Sequence, residues 1–229
     1  MKNPVYFLSV CLSFFILMSC SSNEKQKETP ATFSSLKDTY KDSFLMGCAL
    51  NVEVSSGEDA ESQKIILQQF NSITPENVMK AEIINPERGV YDFKAADDFV
   101  EFGRKNNMCI VGHPLVWHNQ TPEWFFQDEA GNPNTPEAQI EQMRKYIETV
   151  AGRYAGKIQA WDVVNEVIDD DGSYRSETAW VKSVGNGDEL VKNAFKFASE
   201  YAANTELYYN DFNAWRPEKR DGIMRMVRL

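Results

Sequence analysis

The sequence predicts an α/β fold in which parallel strands are covered on the outside by helices. Three observations carry this. Five short apolar runs read as strands, and each is followed by a stretch with apolar residues at helical spacing. Strands alternating with amphipathic helices imply a parallel sheet, since each crossover returns the chain to the same end. The first run continues as GCALNVEVSSGED, without a Gly-rich phosphate loop, which argues against a dinucleotide-binding sheet.

The elements follow in order. Residues 44–52 (FLMGCALNV) read as a strand and residues 59–69 (DAESQKIILQQ) as a helix. Residues 70–74 (FNSIT) form a short strand running into Pro75, and residues 95–107 an amphipathic helix with Phe99, Phe102 and Gly103 on one side. Residues 108–116 (MCIVGHPLV) read as the third strand. Thr135 then caps a helix that has Pro136 at its first position and Ile140, Met143, Ile147, Val150 and Tyr154 along one face. The fourth strand is 158–166 (IQAWDVVNE). A helix over 188–203 follows, and the fifth strand is 205–210 (TELYYN). Arg216-Pro217 opens a last helix to Leu229.

Composition narrows the function. The 24 Lys and Arg against 34 Asp and Glu leave a net charge of −10, which argues against a nucleic-acid partner. With 42% hydrophobic and 25% charged residues, the chain is ordinary globular material, not a disordered tail or a multi-span membrane protein. The two histidines, His113 and His118, exclude a His-rich metal site, and no metal or cofactor is expected. Four cysteines are too few for a disulfide scaffold, and Cys48 and Cys109 read as small buried hydrophobes.

The N-terminus reads as an address. Lys2 precedes the apolar run VYFLSVCLSFFILM, too short for a comfortable transmembrane helix and suited to a signal-peptide core. It ends Ser19-Cys20, which resembles a bacterial lipoprotein signal. Residues 1–19 are then the signal, Cys20 the lipidated first residue of a cell-envelope protein, 20–34 a flexible tether and 35–229 the folded part. An outer-membrane location is expected.

Polar residues collect at the C-terminal ends of the strands, the edge that carries the site in barrels and open α/β sheets alike. Strand two ends in Thr74-Pro75-Glu76-Asn77, strand three in HPLVWH (His113 to His118), strand four in Asn165-Glu166 and strand five in Asn210-Asp211. Each alone reads as a cap or turn residue; four together read as a site. A carboxyl group at the mouth of a buried strand is a candidate general acid, because desolvation favours the neutral form of such groups. Glu166 is that candidate, with Asn165 beside it to hydrogen-bond a sugar hydroxyl. Trp117 and Trp124 are candidates to stack on sugar rings, and Glu76, Asn77, Lys80 and His113 to bond hydroxyls. No GxSxG motif and no Cys–His pairing offers a nucleophile of another class.

Together FNSITPENVMKAE, GHPLVWHNQTPEW, WDVVNE and YYNDFN resemble glycoside hydrolase family 10, the retaining endo-β-1,4-xylanases. The four motifs occur in order from about Phe44 onward. The resemblance implies a (β/α)8 TIM barrel, of which about the first five βα units are present, and cleavage of internal β-1,4 bonds in xylan. It implies Glu166 as general acid and then general base, and Asn165 as a partner of the sugar in the reacting subsite. Glu76, Asn77 and Lys80 would serve the next subsite toward the non-reducing end. His113 and Trp117 would line the reacting subsite, and Asn210 and Asp211 would lie beneath the catalytic pair.

Three positions differ from the usual family wording: Ala81 stands where an aromatic residue is common after Met79-Lys80, Pro114 where Thr is frequent, and Phe212 where Tyr is usual. A retaining mechanism uses two carboxylates roughly 5 Å apart. The resemblance places the nucleophilic Glu near the end of a seventh strand, past Leu229, so the 229-residue chain is expected to be part of a longer enzyme and inactive or very weak alone. A retaining β-1,4-glucanase and a lipid-anchored glycan-binding protein without turnover share many of these features.

Overall fold

The computed structural model describes residues 34–229. The signal segment, Cys20 and nearly all of the tether therefore lie outside the described residues.

Six strands form one sheet in which every strand pairing is parallel. β1 (Gly47–Leu50) pairs with β2 (Ser72–Pro75), and β2 with β3 (Cys109–Gly112). β3 pairs with β5 (Ala160–Asn165), and β5 with β6 (Glu206–Asn210). A two-residue strand, β4 (Val116–Trp117), also pairs with β5. Apart from β4, neighbours follow chain order, so each crossover steps in one direction. A doubly wound sheet would reverse at a switch point; this sheet does not, and its winding is that of a barrel.

The expected third strand splits in two. Pro114 has no N–H to give a ladder, and the Leu115 N–H donates to the Asp162 carbonyl at 3.0 Å, so the chain leaves the sheet at His113 and rejoins it at Val116. The first strand is shorter than expected because Asn51 caps a new helix. Its side chain accepts from the Val54 N–H at 3.1 Å, and residues after it turn into α2 (Val52–Ser56), which follows α1 (Leu36–Thr39).

The longer helices lie close to expectation. Asp59 accepts from the Ser62 N–H at 3.0 Å and opens α3 (Ala60–Gln69). A short α4 (Ala81–Ile84) precedes α5 (Lys94–Lys105). Thr135 accepts from the Ala138 N–H at 3.3 Å and opens α6 (Pro136–Tyr154). The short α7 (Ala179–Val184) leads to α8 (Gly187–Tyr201), where Asn186 accepts from the Glu189 N–H at 2.9 Å. The last helix is α9 (Pro217–Met226).

The core lies between sheet and helices. Ile73 and Ile110 are fully buried with Phe99 and Val100 of α5. Gly103 lets that helix approach: a Cβ there would stand 2.6 Å from Ile110 Cδ1. Gly112 does the same beneath Trp161, where a Cβ would meet the ring at 2.3 Å. Cys48 and Cys109 are free thiols, half-buried and not fully buried as expected. Burial still pushes the Cys48 thiol up to about 11. Among the described residues no strand covers the outer edges of β1 and β6.

Candidate active site

The parallel strands deliver their C-terminal ends to one edge, and the sequence-predicted polar residues meet there. Glu166 follows β5 directly. Its φ of 55° is the left-handed region, which costs a non-glycine residue about 1 kcal/mol. Hydrogen bonds on both sides hold that backbone. The Glu166 N–H donates to the Asn210 carbonyl at 2.9 Å, and Arg175 Nε donates to the Glu166 carbonyl at 3.0 Å. The turn aims the side chain, and Trp117 fixes it: the indole Nε1–H donates to Glu166 Oε2 at 3.0 Å.

Asn165 is buried at the end of β5, and its amide lies 2.9 Å from the Asn210 side chain. Oriented with its oxygen toward Trp117, that amide accepts from the indole N–H at 3.1 Å and donates to the Asn210 carbonyl at 3.1 Å. One indole N–H thus serves Asn165 and Glu166 together, and Asn210 braces both from β6.

The β2 side supplies a second polar group. Lys80 is buried, donating to Asn77 Oδ1 at 2.8 Å and Gln120 Oε1 at 2.6 Å. Its ammonium stands 4.7 Å from the centre of the Trp117 ring. Burial lowers the Lys80 pKa below the ordinary lysine value, against the opposing pull of Glu76, Glu82 and Glu166. Glu76 and Asn77 are exposed at the mouth. On β3's exit, His113 Nδ1 lies 2.8 Å from Asp162 Oδ2, which fixes the imidazole plane.

Two expectations need correction. Trp124 is no sugar platform: its Nε1 donates to the Pro86 carbonyl at 3.1 Å, and the Arg88 guanidinium covers its ring at 5.0 Å. Trp117 has one face under Lys80 and orients Glu166 and Asn165 through its N–H. Asp211 does not support the catalytic pair directly. Its carboxylate accepts from the Tyr209 hydroxyl and pairs with the buried Lys219 at 2.7 Å.

Sequence reasoning assigned no part to Gln120 or Arg175. Gln120 sits inside the motif GHPLVWHNQTPEW, at a φ of 50°, and joins Lys80 to Glu82, whose Oε1 accepts from its amide at 2.6 Å. Arg175 lies on the loop after β5 and carried no motif. His118 also faces this region. Its Nδ1 is buried without a partner, and burial, then the nearby Arg175 charge, lower its pKa below 6.5.

The arrangement combines one oriented carboxyl group with a belt of donors and acceptors along a single edge. That suits proton transfer to an oxygen on a polyhydroxylated ligand.

Comparison with known proteins agrees. The description "Glycosyl hydrolase family 10" matches residues 35–229. The endo-1,4-beta-xylanase A of Thermotoga maritima is 44% identical over 213 residues, which are 90% of this chain and 19% of that protein. The protein of the same name from Xylanibacter ruminicola is 42% identical over 193 residues, 84% of this chain and 52% of that one. Among solved structures, a GH10 endoxylanase retrieved from a sugarcane soil metagenome is similar with a TM-score of 0.80 at 44% identity, over 84% of this chain and 55% of its own. Xylanase XynB from Paenibacillus barcinonensis gives 0.79 at 38% identity, over 86% and 58%. The parallel sheet matches the (β/α)8 barrel of these neighbours and covers part of it. The chain belongs to glycosyl hydrolase family 10.

Proposed function

We propose that this chain carries the acid/base half of a retaining endo-β-1,4-xylanase. The observation behind the reading is the Glu166 carboxyl group held at 3.0 Å by the Trp117 N–H, with its backbone tied to β6. In the first step Glu166 gives its proton to the leaving glycosidic oxygen; in the second it takes a proton from the attacking water. Asn165 and Asn210 hold the sugar and each other at the reacting centre. His113 and Trp117 line that subsite, and Glu76, Asn77 and Lys80 bind the xylose unit on its non-reducing side. The nucleophilic carboxylate comes from a later part of the barrel, and residues 1–229 alone turn xylan over very slowly. Xylan or a xylo-oligosaccharide is the substrate, and a lipid on Cys20 holds the enzyme at the cell envelope, on the outer membrane.

The reading is tested by Glu166→Gln in the xylan-cleaving polypeptide. The amide keeps the hydrogen bond to Trp117 and removes the proton. Release of reducing sugar from xylan is expected to fall at least a hundredfold, roughly the loss expected for an acid/base group. Unchanged release would refute the assignment.

A further inference from the structure

The rim residues run across the sheet in strand order. Glu76, Asn77 and Lys80 follow β2, His113 follows β3, Glu166 follows β5, and Asn210 ends β6. Glu166 therefore stands between a polar β2 flank and a β6 flank made of residues 211–216. The β6 flank holds the most exposed large apolar side chain among the described residues. Trp215 is 75% exposed, and the next, Val227, is 57%.

The turn that carries this indole is firmly built. The Arg216 N–H donates to the Asn213 carbonyl at 2.9 Å, and Asn213 adopts a φ of 56°. Asn213 Nδ2 lies 3.4 Å from Asp170 Oδ1, and the Arg216 guanidinium donates to Asp170 Oδ2 at 2.8 Å. The same guanidinium stands 5.6 Å from the Trp215 ring centre, backing one face. Phe212, three residues earlier, differs. Its ring is 46% exposed but has the Lys219 ammonium at 3.8 Å and the Arg175 guanidinium at 5.7 Å, so two cations compete for its faces. Trp215 keeps one ring face uncovered by Arg216, on the turn that follows β6.

We propose that Trp215 is a sugar-stacking platform for a xylose unit on the leaving-group side of Glu166. The proposal rests on the glycosidase reading above, which puts the non-reducing side on the β2 flank. A xylopyranose ring has no hydroxymethyl arm, so its C–H face lies flat on an indole. Burying that face removes apolar surface of both partners from water. Trp215 then lengthens the substrate that the site can grip without touching the bond that breaks.

The test is calorimetric titration of the xylan-cleaving polypeptide, made inactive by Glu166→Gln, with xylobiose and with xylohexaose, with Trp215 intact, Trp215→Ala or Trp215→Phe. The ring is exposed, so the thermal midpoints should coincide and rule out misfolding. Trp215→Ala is expected to weaken xylohexaose about tenfold, the effect of losing one buried ring face, and to leave xylobiose on the β2 flank unchanged. Trp215→Phe is expected to recover most of the loss. Xylohexaose binding by Trp215→Ala equal to that with Trp215 intact, or an equal loss for both sugars, overturns this proposal alone. Absence of binding of either sugar by that polypeptide with Trp215 intact overturns the glycosidase reading and this proposal with it.

Discussion

Lys219→Met isolates the device that holds the end of β6 in place. Lys219 is fully buried, and the Asp211 side chain beside it is 1% exposed. At their 2.7 Å separation the gross attraction is about 6 kcal/mol with an effective dielectric of about 20. Most of that offsets the desolvation of the two ions. Methionine keeps the apolar stem but leaves the Asp211 carboxylate buried with only the Tyr209 hydroxyl and the Phe212 N–H, the latter at 2.8 Å, as donors. Breaking one half of such a pair costs about 3–5 kcal/mol. For a fold of this size that lowers the thermal midpoint by roughly 6–20 °C. The assay is thermal and urea unfolding of wild type, Lys219→Met, Asp211→Asn and the double variant. The double variant should lose clearly less than the sum of the singles, because no charge is then left alone. A Lys219→Met loss below about 1 kcal/mol, or strict additivity, would refute the claim that the pair holds this end of the sheet.

Other consequences are simpler to check. Gly112→Ala places a Cβ 2.3 Å from the Trp161 ring and should cost about 1–3 kcal/mol in urea unfolding. Because burial depresses the folded-state pKa of His118, protonation favours the unfolded chain. The chain should therefore keep its stability above pH 6.5 and lose part of it as pH falls below that value; His118→Asn should flatten this part of the melting-temperature profile. Trp117→Phe keeps the ring under Lys80 and deletes the N–H to Glu166, so xylan turnover should fall by about tenfold to a hundredfold with little change in thermal midpoint. Cys20→Ala should abolish incorporation of labelled fatty acid and release the protein from membranes during fractionation.

Much of the fold was legible because its signals are local. Thr135-Pro136 and Asp59 marked helix starts, and the apolar spacing of residues 140–154 marked a face that the structure buries. The site was legible because parallel winding sends every strand end to one edge, so motifs far apart in sequence converge. What escaped depends on tertiary partners. α2 was not expected: the strand read to Val52 stops early because Asn51 caps a helix over residues 52–56. Trp124 looked like a sugar platform, since nothing local shows that Arg88 covers it from 36 residues away. Asp211 and Lys219 meet across a turn and a helix start, and no pattern in the intervening residues announces an ion pair. Gln120 reaches Lys80 and Glu82 from about 40 residues away and Arg175 reaches the Glu166 carbonyl from a loop, contacts that leave no periodicity to read.

The central claim, that Glu166 is the acid/base on the edge of a family 10 barrel, meets its most direct test in azide trapping. Glu166→Ala in the xylan-cleaving polypeptide would be given an aryl β-xylobioside with a good leaving group, with and without sodium azide. The small anion fills the space left by the side chain and attacks the glycosyl intermediate from the same face as the catalytic water. Azide should accelerate turnover and yield a xylobiosyl azide of β configuration. No acceleration, or a product of α configuration, would contradict the account.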